Sequence, residues 1–532
     1  MTEDNPEVDV EEGRLRGGTM VDFDGHRFYS FLGIPYGKPP VGHLRFKAPE
    51  PAEPWQGILD ATKDGACCYQ REFPDMTKRD GSEDCLNLNV FTKTLPSEHS
   101  SPKPVMVYIH GGGFTSGSNK PSFHGPQYLM TEDIVLVVIN YRLAVLGFLS
   151  AEDDSLDVPG NAGLKDQTLA LKWVQRNIGS FNGDPENVTI FGVSAGGASV
   201  HYQILSPTAK GLFHKAICQS GCALNPWPYG QRNLLEFVRL IDETVETEKE
   251  ALEILRKLTI EELYEYQEKF LDDKPQLGVF APVIEKPNST AFITKHPIEI
   301  ITSGEYNQVP MIFSYCSNEG LLTEVMNSLA IATGRTPKEL GLESFIYREM
   351  NVAQESEVSK EICRMLSDFY NRDDNVHDKY MLDSDYYFVA GIIAAVMNHA
   401  KTNHNPVYLY RMSFNGNNSF KKLFQLDEYP GASHGDDLPY IFLFSILSAT
   451  NLGEGETNTI RRFAGLFSNF AKTGNPTPSG NNFNLTWIPV DAENINFLDI
   501  DRDLVLKSNP EPDRIELWRK IFQLSPATNK YL

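Results

Sequence analysis

The strongest strand signals along this chain are runs with no polar interruption. Residues 105–110 read VMVYIH, 134–142 read IVLVVINYR and 188–193 read VTIFGV. A strand with one wet face alternates apolar and polar side chains. An unbroken run predicts a strand covered on both faces, as in a parallel sheet. KAICQS at 215–220, VPMIFSYCS at 309–317 and VYLYRMSF at 407–414 extend the series. Between the runs the period changes. In LKDQTLALKWVQRNI, residues 164–178, Leu169, Trp173 and Val174 share one face of a helix that Gly179 can stop. Residues 195–205 predict a helix directly after the 188–193 strand. Charged segments 232–270 and 336–369 read as helical, and 511–523 as a closing helix. The first stretch, to about residue 95, mixes short strands and turns. This alternation predicts an α/β fold with a central, mostly parallel sheet, flanking helices and helical insertions. No linker, repeat or low-complexity block divides it, so residues 1–532 are expected to form one domain.

Size and charge narrow the function classes. The chain has 532 residues, 41% of them hydrophobic, which is ample for a large core. Its net charge of −23 should repel nucleic acid and anionic membrane. Neither is an expected partner, and no run is long enough to span a bilayer. The start, MTEDNPEVDV, lacks the basic and apolar regions of a signal peptide, so a cytoplasmic protein is expected. The alternative is a secreted protein whose export signal was replaced by a starting methionine. Sequons at Asn187, Asn288, Asn417 and Asn484 have meaning only in that case. The seven cysteines, Cys67, Cys68, Cys85, Cys218, Cys222, Cys316 and Cys363, cannot all pair within one chain. Their spacing matches no zinc site, and no metal or cofactor is expected.

The candidate chemistry centres on IFGVSAGG, residues 190–197. A serine between glycines at a strand-to-helix turn is the setting that exposes a nucleophilic hydroxyl. The helix starting behind Ser194 directs its positive end at developing negative charge. A second glycine-rich stretch, His110–Gly113, follows the 105–110 strand. Backbone N–H groups of Gly112 and Gly113, with that of Ala195, can form a three-donor oxyanion hole. Losing one such donor costs about 3 kcal/mol in the transition state. A phosphate loop is disfavoured, because GGGFTSG lacks the Lys-Ser/Thr pair and Gly117 comes too late for Gly-x-Gly-x-x-Gly.

Serine needs a base, and the base needs an orienting acid. Of the 12 histidines, the candidates after Ser194 include His201, His214, His296, His399, His404 and His434. The order serine, acid, histidine favours a late one. His434, in GASHGDDLPYIF, lies on a loop beyond a late strand, whereas His201 sits on the helix after Ser194 and packs or points outward. Glu319, after the strand ending near Tyr315, leads the acids. Asp383, Asp385, Asp436 and Asp437 remain open.

Several long strings, in order, resemble the type-B carboxylesterase and cholinesterase-like family of α/β hydrolases. They include FLGIPYGKPPVGHLRFKAPEP from Phe31, SEDCLNLNVF from Ser82, PVMVYIHGGGF from Pro104, VVINYRLAVLGFLS from Val137 and GASHGDDLPYIF from Gly431. The likeness covers nearly the whole chain. It implies Ser194 as nucleophile, Glu319 as acid, His434 as base, and Gly112, Gly113 and Ala195 as oxyanion donors. It implies a Cys68–Cys85 disulfide, with Cys67 an adjacent extra, and a buried Arg142–Asp166 ion pair. Val193 replaces the glutamate usual in cholinesterases and the glutamine usual in juvenile-hormone esterases. The pattern is most similar to insect carboxylesterases, detoxifying ones included. The resemblance implies a monomer or homodimer that hydrolyses uncharged, largely apolar esters, xenobiotic or hormone esters among them, and is inactivated by organophosphates or carbamates. The alternatives are a narrow juvenile-hormone-type esterase and a non-catalytic adhesion protein on the same scaffold.

Overall fold

Eleven strands form one sheet that runs through the chain. The computed structural model describes residues 5–532 apart from 74, 273, 275–277, 338, 372–375, 448–450 and 492, and apart from the side chains of 376–379. In chain order the sheet strands are β1 (Gly18–Val21), β2 (Arg27–Pro35), β3 (Asn87–Thr92), β4 (Lys103–Ile109) and β5 (Val135–Ile139). They continue with β6 (Gly183–Val193), β7 (Lys215–Gln219), β8 (Met311–Cys316), β9 (Val407–Met412), β10 (Asn496–Ile500) and β11 (Leu504–Ser508). Across the sheet the order is β11-β10-β9-β8-β7-β6-β4-β5-β3-β2-β1. Pairing is parallel from β5 through β10 and antiparallel at both margins.

The unbroken apolar runs are explained by cover on both faces. In β4, Val105, Val107 and Ile109 enter one core while Met106 and Tyr108 enter the other. In β5, Val135, Val137 and Ile139 oppose Leu136 and Val138 in the same way. The first core is roofed by α1 (Ala162–Asn177) and α2 (Ala195–Leu205), and the second by α3 (Glu454–Thr473) through Ile460, Phe463, Phe467 and Phe470. Trp173 and Val174 are fully enclosed and Leu169 is 8% exposed, as the helical period requires.

The charged insertions differ from the sequence reading. Segment 232–270 divides into helices Leu234–Val238, Glu248–Lys257 and Ile260–Asp272. Segment 336–369 becomes helical only at Glu357–Tyr370, where Ser356 caps the first turn. Before it lie two single 3₁₀ turns, Leu342–Phe345 and Arg348–Met350. Gly334, Pro337 and Gly341 break the pattern there, and residue 338 is outside the described residues. Helix Leu322–Ala332, unpredicted, buries none of its residues.

Arg142, just past β5, and Asp166, on α1, are 1% and 0% exposed. Arg142 donates from Nε (2.8 Å), Nη2 (2.6 Å) and its backbone N–H (3.0 Å) to the Asp166 carboxylate. Removing one partner leaves the other charged and enclosed. Asp166→Ala is therefore expected to lose about 3–5 kcal/mol of stability. Calorimetry showing an unchanged thermal midpoint contradicts this.

Candidate active site

Ser194 occupies the turn between β6 and α2 with φ 60° and ψ −124°, a combination a side chain strongly disfavours. The turn is held because its neighbours leave no room to relax. A Cβ on Gly196 would lie 2.1 Å from the Ile109 carbonyl oxygen. On the other side, the Ser194 N–H donates to the Gln219 carbonyl at 2.8 Å. The hydroxyl is thereby presented, partly exposed, at the C-terminal end of the sheet.

The acid and the imidazole come from neighbouring strands. Glu319 opens a 3₁₀ turn just beyond β8 and is 0% exposed. Its Oε1 accepts from the Cys316 N–H at 2.6 Å, and its Oε2 lies 2.5 Å from His434 Nδ1. Nδ1 must therefore donate, which leaves Nε2 as the acceptor. The His434 loop is fastened to the β8 end: Asn318 N–H donates to Ala432 O (2.9 Å) and Ala432 N–H to Ser317 Oγ (3.0 Å). Among the described residues no hydrogen bond joins Ser194 Oγ to His434. Gln219, whose carbonyl holds the Ser194 N–H, donates from Nε2 at 2.7 Å to Oδ2 of Asp437, three residues past His434. Tyr410 donates to the same oxygen at 2.8 Å.

Most of the rival candidates are engaged elsewhere. His201 Nδ1 accepts from the Ala223 N–H, so its Nε2 donates to His399 Nε2 at 2.8 Å, and both rings are fully buried. His214 Nδ1 accepts from Val188 N–H, and His296 caps helix Pro297–Ser303. Asp385 pairs with Arg514, and Asp436 accepts from Ser419, Phe420 and Ser433. Asp437 accepts from Gln219 and Tyr410 rather than meeting an imidazole. Burial pushes the Asp437 carboxyl up to about 6.

The carbonyls around Gly112 are held by protein donors. Gly112 O accepts from the N–H groups of Thr115 and Ser116, both at 3.0 Å. His110 Nδ1 donates to Gly111 O at 2.9 Å, and Tyr141 donates to His110 O at 3.0 Å. Among the described residues no protein acceptor takes the N–H of Gly112, Gly113 or Ala195. Cys68 and Cys85 are disulfide-bonded, and Cys67 is a free, buried thiol.

Phe388 was not singled out from sequence. Its ring centroid is 4.4 Å from that of His434. It belongs to a π-helical turn, Asp385–Val389, a local insertion common at functional sites. Trp227 lies 6.0 Å from Phe388 and 6.2 Å from Phe114. The aromatic run YYF at 386–388 was the only sequence signal.

A family model described as the carboxylesterase family matches residues 4–518. Juvenile hormone esterase of Tribolium castaneum is 34% identical over 92% of this chain and 87% of its own. Esterase FE4 of Myzus persicae is 34% identical over 91% of this chain and 87% of its own. A crystal structure of juvenile hormone esterase from Manduca sexta, with OTFP covalently attached, superposes with a TM-score of 0.87 at 30% identity, covering 98% of this chain and 100% of that one.

Burial holds His110 near pKa 4 and His124 and His201 near 3, and pushes His399 well down. Below about pH 6.5 the unfolded chain then binds more protons than the folded one. Stability present above that pH is lost as pH falls toward the folded values, by about 1.4 kcal/mol per pH unit per imidazole. Asp437 and Glu349, raised by burial to about 6 and about 7, and Asp64, Asp84 and Asp436, raised by the same cause, act in the opposite sense, while His214 and His296, also lowered by burial, add to the imidazoles. The thermal midpoint is expected to drop between pH 7 and pH 5; a flat or rising midpoint contradicts the neutral burial of these rings.

Proposed function

The chain belongs to the carboxylesterase family, with an α/β-hydrolase fold, and is a carboxylic ester hydrolase; on that footing we propose that Ser194, Glu319 and His434 carry its chemistry. The observation that carries the reading is the 2.5 Å contact of His434 Nδ1 with buried Glu319, at the sheet end where Ser194 is displayed on strained backbone. His434 Nε2 takes the hydroxyl proton as Ser194 Oγ attacks the ester carbonyl. Glu319 orients the ring and stabilises its positive charge. The N–H groups of Gly112, Gly113 and Ala195 receive the oxyanion. His434 returns the proton to the departing alcohol. Water then releases the acyl group by the same steps, with His434 again as base.

Residues 1–532 are read as one domain, because strands from both ends of the chain join one sheet. The aromatic series Phe114, Trp227 and Phe388, all buried, supports uncharged apolar esters as substrates. A narrow hormone-ester specificity is the second reading, favoured by the Tribolium castaneum and Manduca sexta relatives. For the compartment, the Cys68–Cys85 disulfide favours a secreted protein over the cytoplasmic expectation. Among the described residues no helix is long and apolar enough to cross a membrane. Asn288, Asn417 and Asn484 are exposed and could carry glycans in a secreted form.

Ser194→Ala is expected to abolish p-nitrophenyl ester turnover, by at least about 10⁴-fold, while the chain stays folded. Peptide mapping after organophosphate treatment should place the adduct on Ser194; an adduct on another residue sinks the assignment. In a panel of esters varying acyl and alcohol length, broad turnover of simple apolar esters is expected. Turnover confined to a juvenile hormone ester would instead select the second reading.

A further inference from the structure

We infer that Gln70 is a positioning residue for the oxyanion hole: its side-chain amide clamps both hydrogen-bonding groups of Gly117 and ties the Gly111–Gly117 loop to the Cys68–Cys85 disulfide. The inference rests on the roles proposed for Ser194, Gly112 and Gly113. Gln70 lies two residues beyond Cys68 and is buried, 7% exposed. Its Oε1 accepts from the Gly117 N–H at 2.6 Å, and its Nε2 donates to the Gly117 carbonyl at 2.7 Å. The same Nε2 donates its second hydrogen to the Cys68 carbonyl at 3.0 Å. The orientation of the amide is fixed by this set, because an N–H faces one end and two carbonyls face the other. One amide thus imitates a strand pairing with a single residue of the loop.

Gly117 is where such a clamp has most leverage. It sits at φ 113°, and a Cβ there would lie 2.3 Å from His110 Nδ1 and 2.5 Å from the Gly111 oxygen. The Gly117 backbone therefore abuts the start of the loop that carries Gly112 and Gly113. The other partners from outside this loop recorded above act on carbonyls, and the Thr115 and Ser116 N–H groups close the turn from within. Tyr141 takes His110 O, His110 takes Gly111 O, and Thr115 and Ser116 take Gly112 O. The Ala144 N–H takes Phe114 O at 2.7 Å. Among these partners outside the loop, Gln70 alone engages a loop N–H as well, and its second N–H hydrogen bond runs to the backbone of a disulfide-bonded residue. With the His110, Gly111, Gly112 and Phe114 carbonyls engaged, the N–H groups of Gly112 and Gly113 are left for an incoming oxyanion. Electrostatic stabilisation of this kind depends on donors that need no rearrangement when the charge develops. Loosening the clamp should therefore weaken transition-state binding and leave substrate binding nearly unchanged.

The test compares Gln70→Met, which keeps the side-chain length but cannot hydrogen-bond, and Gln70→Ala with the unsubstituted enzyme. Active sites are titrated with a fluorescent organophosphonate, so that kcat is expressed per competent site and misfolded molecules drop out. For p-nitrophenyl butyrate, kcat should fall about tenfold or more with KM within about twofold. Affinity for an alkyl trifluoromethyl ketone, which forms a tetrahedral adduct, should fall in proportion. Affinity for the matched alkyl methyl ketone, which reports ground-state binding, should not change. A kcat per site within twofold of the unsubstituted value overturns the inference. So does an equal loss for both ketones, which would mark a general structural role. Failure of the phosphonate to label Ser194 in the unsubstituted enzyme overturns the catalytic reading and this inference together. Labelling with an unaffected Gln70→Met overturns this inference alone.

Discussion

The whole site depends on one unfavourable backbone conformation, that of Ser194. A residue with a side chain at φ 60° and ψ −124° persists only where its surroundings forbid every alternative. Here the surroundings are the parallel centre of the sheet. The Gln219 carbonyl on β7 fixes the serine N–H, and the Ile109 carbonyl on β4 lies against Gly196. Strands on both sides of β6 thus hold the turn, and the double-sided cores hold the strands. Rigidity reaches the hydroxyl through hydrogen bonds and steric contact rather than through any partner of its own oxygen.

The same geometry divides labour between charge and dipole. Glu319 is enclosed, and both its oxygens are engaged, one by a backbone N–H and one by the imidazole. A buried carboxylate so satisfied orients the ring without competing for the serine proton. Asp437, three residues past His434, meets neutral donors instead, and burial raises it to about 6. Two acids close to one histidine in sequence or space therefore sit in unlike environments, and only one supports the ring. The proposed oxyanion donors are peptide N–H groups, which need no counter-charge.

The sheet was legible because burial on both faces writes itself as unbroken apolar runs. β4 to β9 and the helix behind Ser194 fall close to where the residues put them. Amphipathic α3 carried an equally clear period in Ile460, Phe463, Phe467 and Phe470, which was overlooked. Segment 336–356 misled in the opposite way: its charges suggest a solvated helix, but glycine and proline confine it to single turns. Among the site residues, glycine spacing marked Ser194 and the Gly112–Gly113 loop. Residue chemistry alone left the base and the acid open. What separates His434 from His201 is a contact with a residue 115 positions away, which no local pattern encodes. Phe388 and Gln219 reach the site by similarly distant contacts, so they were missed.

The Arg142–Asp166 pair has a consequence for how this sequence can drift. Each member is the other's only charged neighbour in the contacts described, and both are sealed from water. Loss of either alone strands an enclosed charge, whereas joint replacement by apolar residues of matching volume can be neutral or better. Substitutions at the two positions are therefore strongly epistatic. A lineage can leave this arrangement only by crossing a poorly folded intermediate or by changing both codons together. The pair persists because its exits are steep, whatever it adds to net stability.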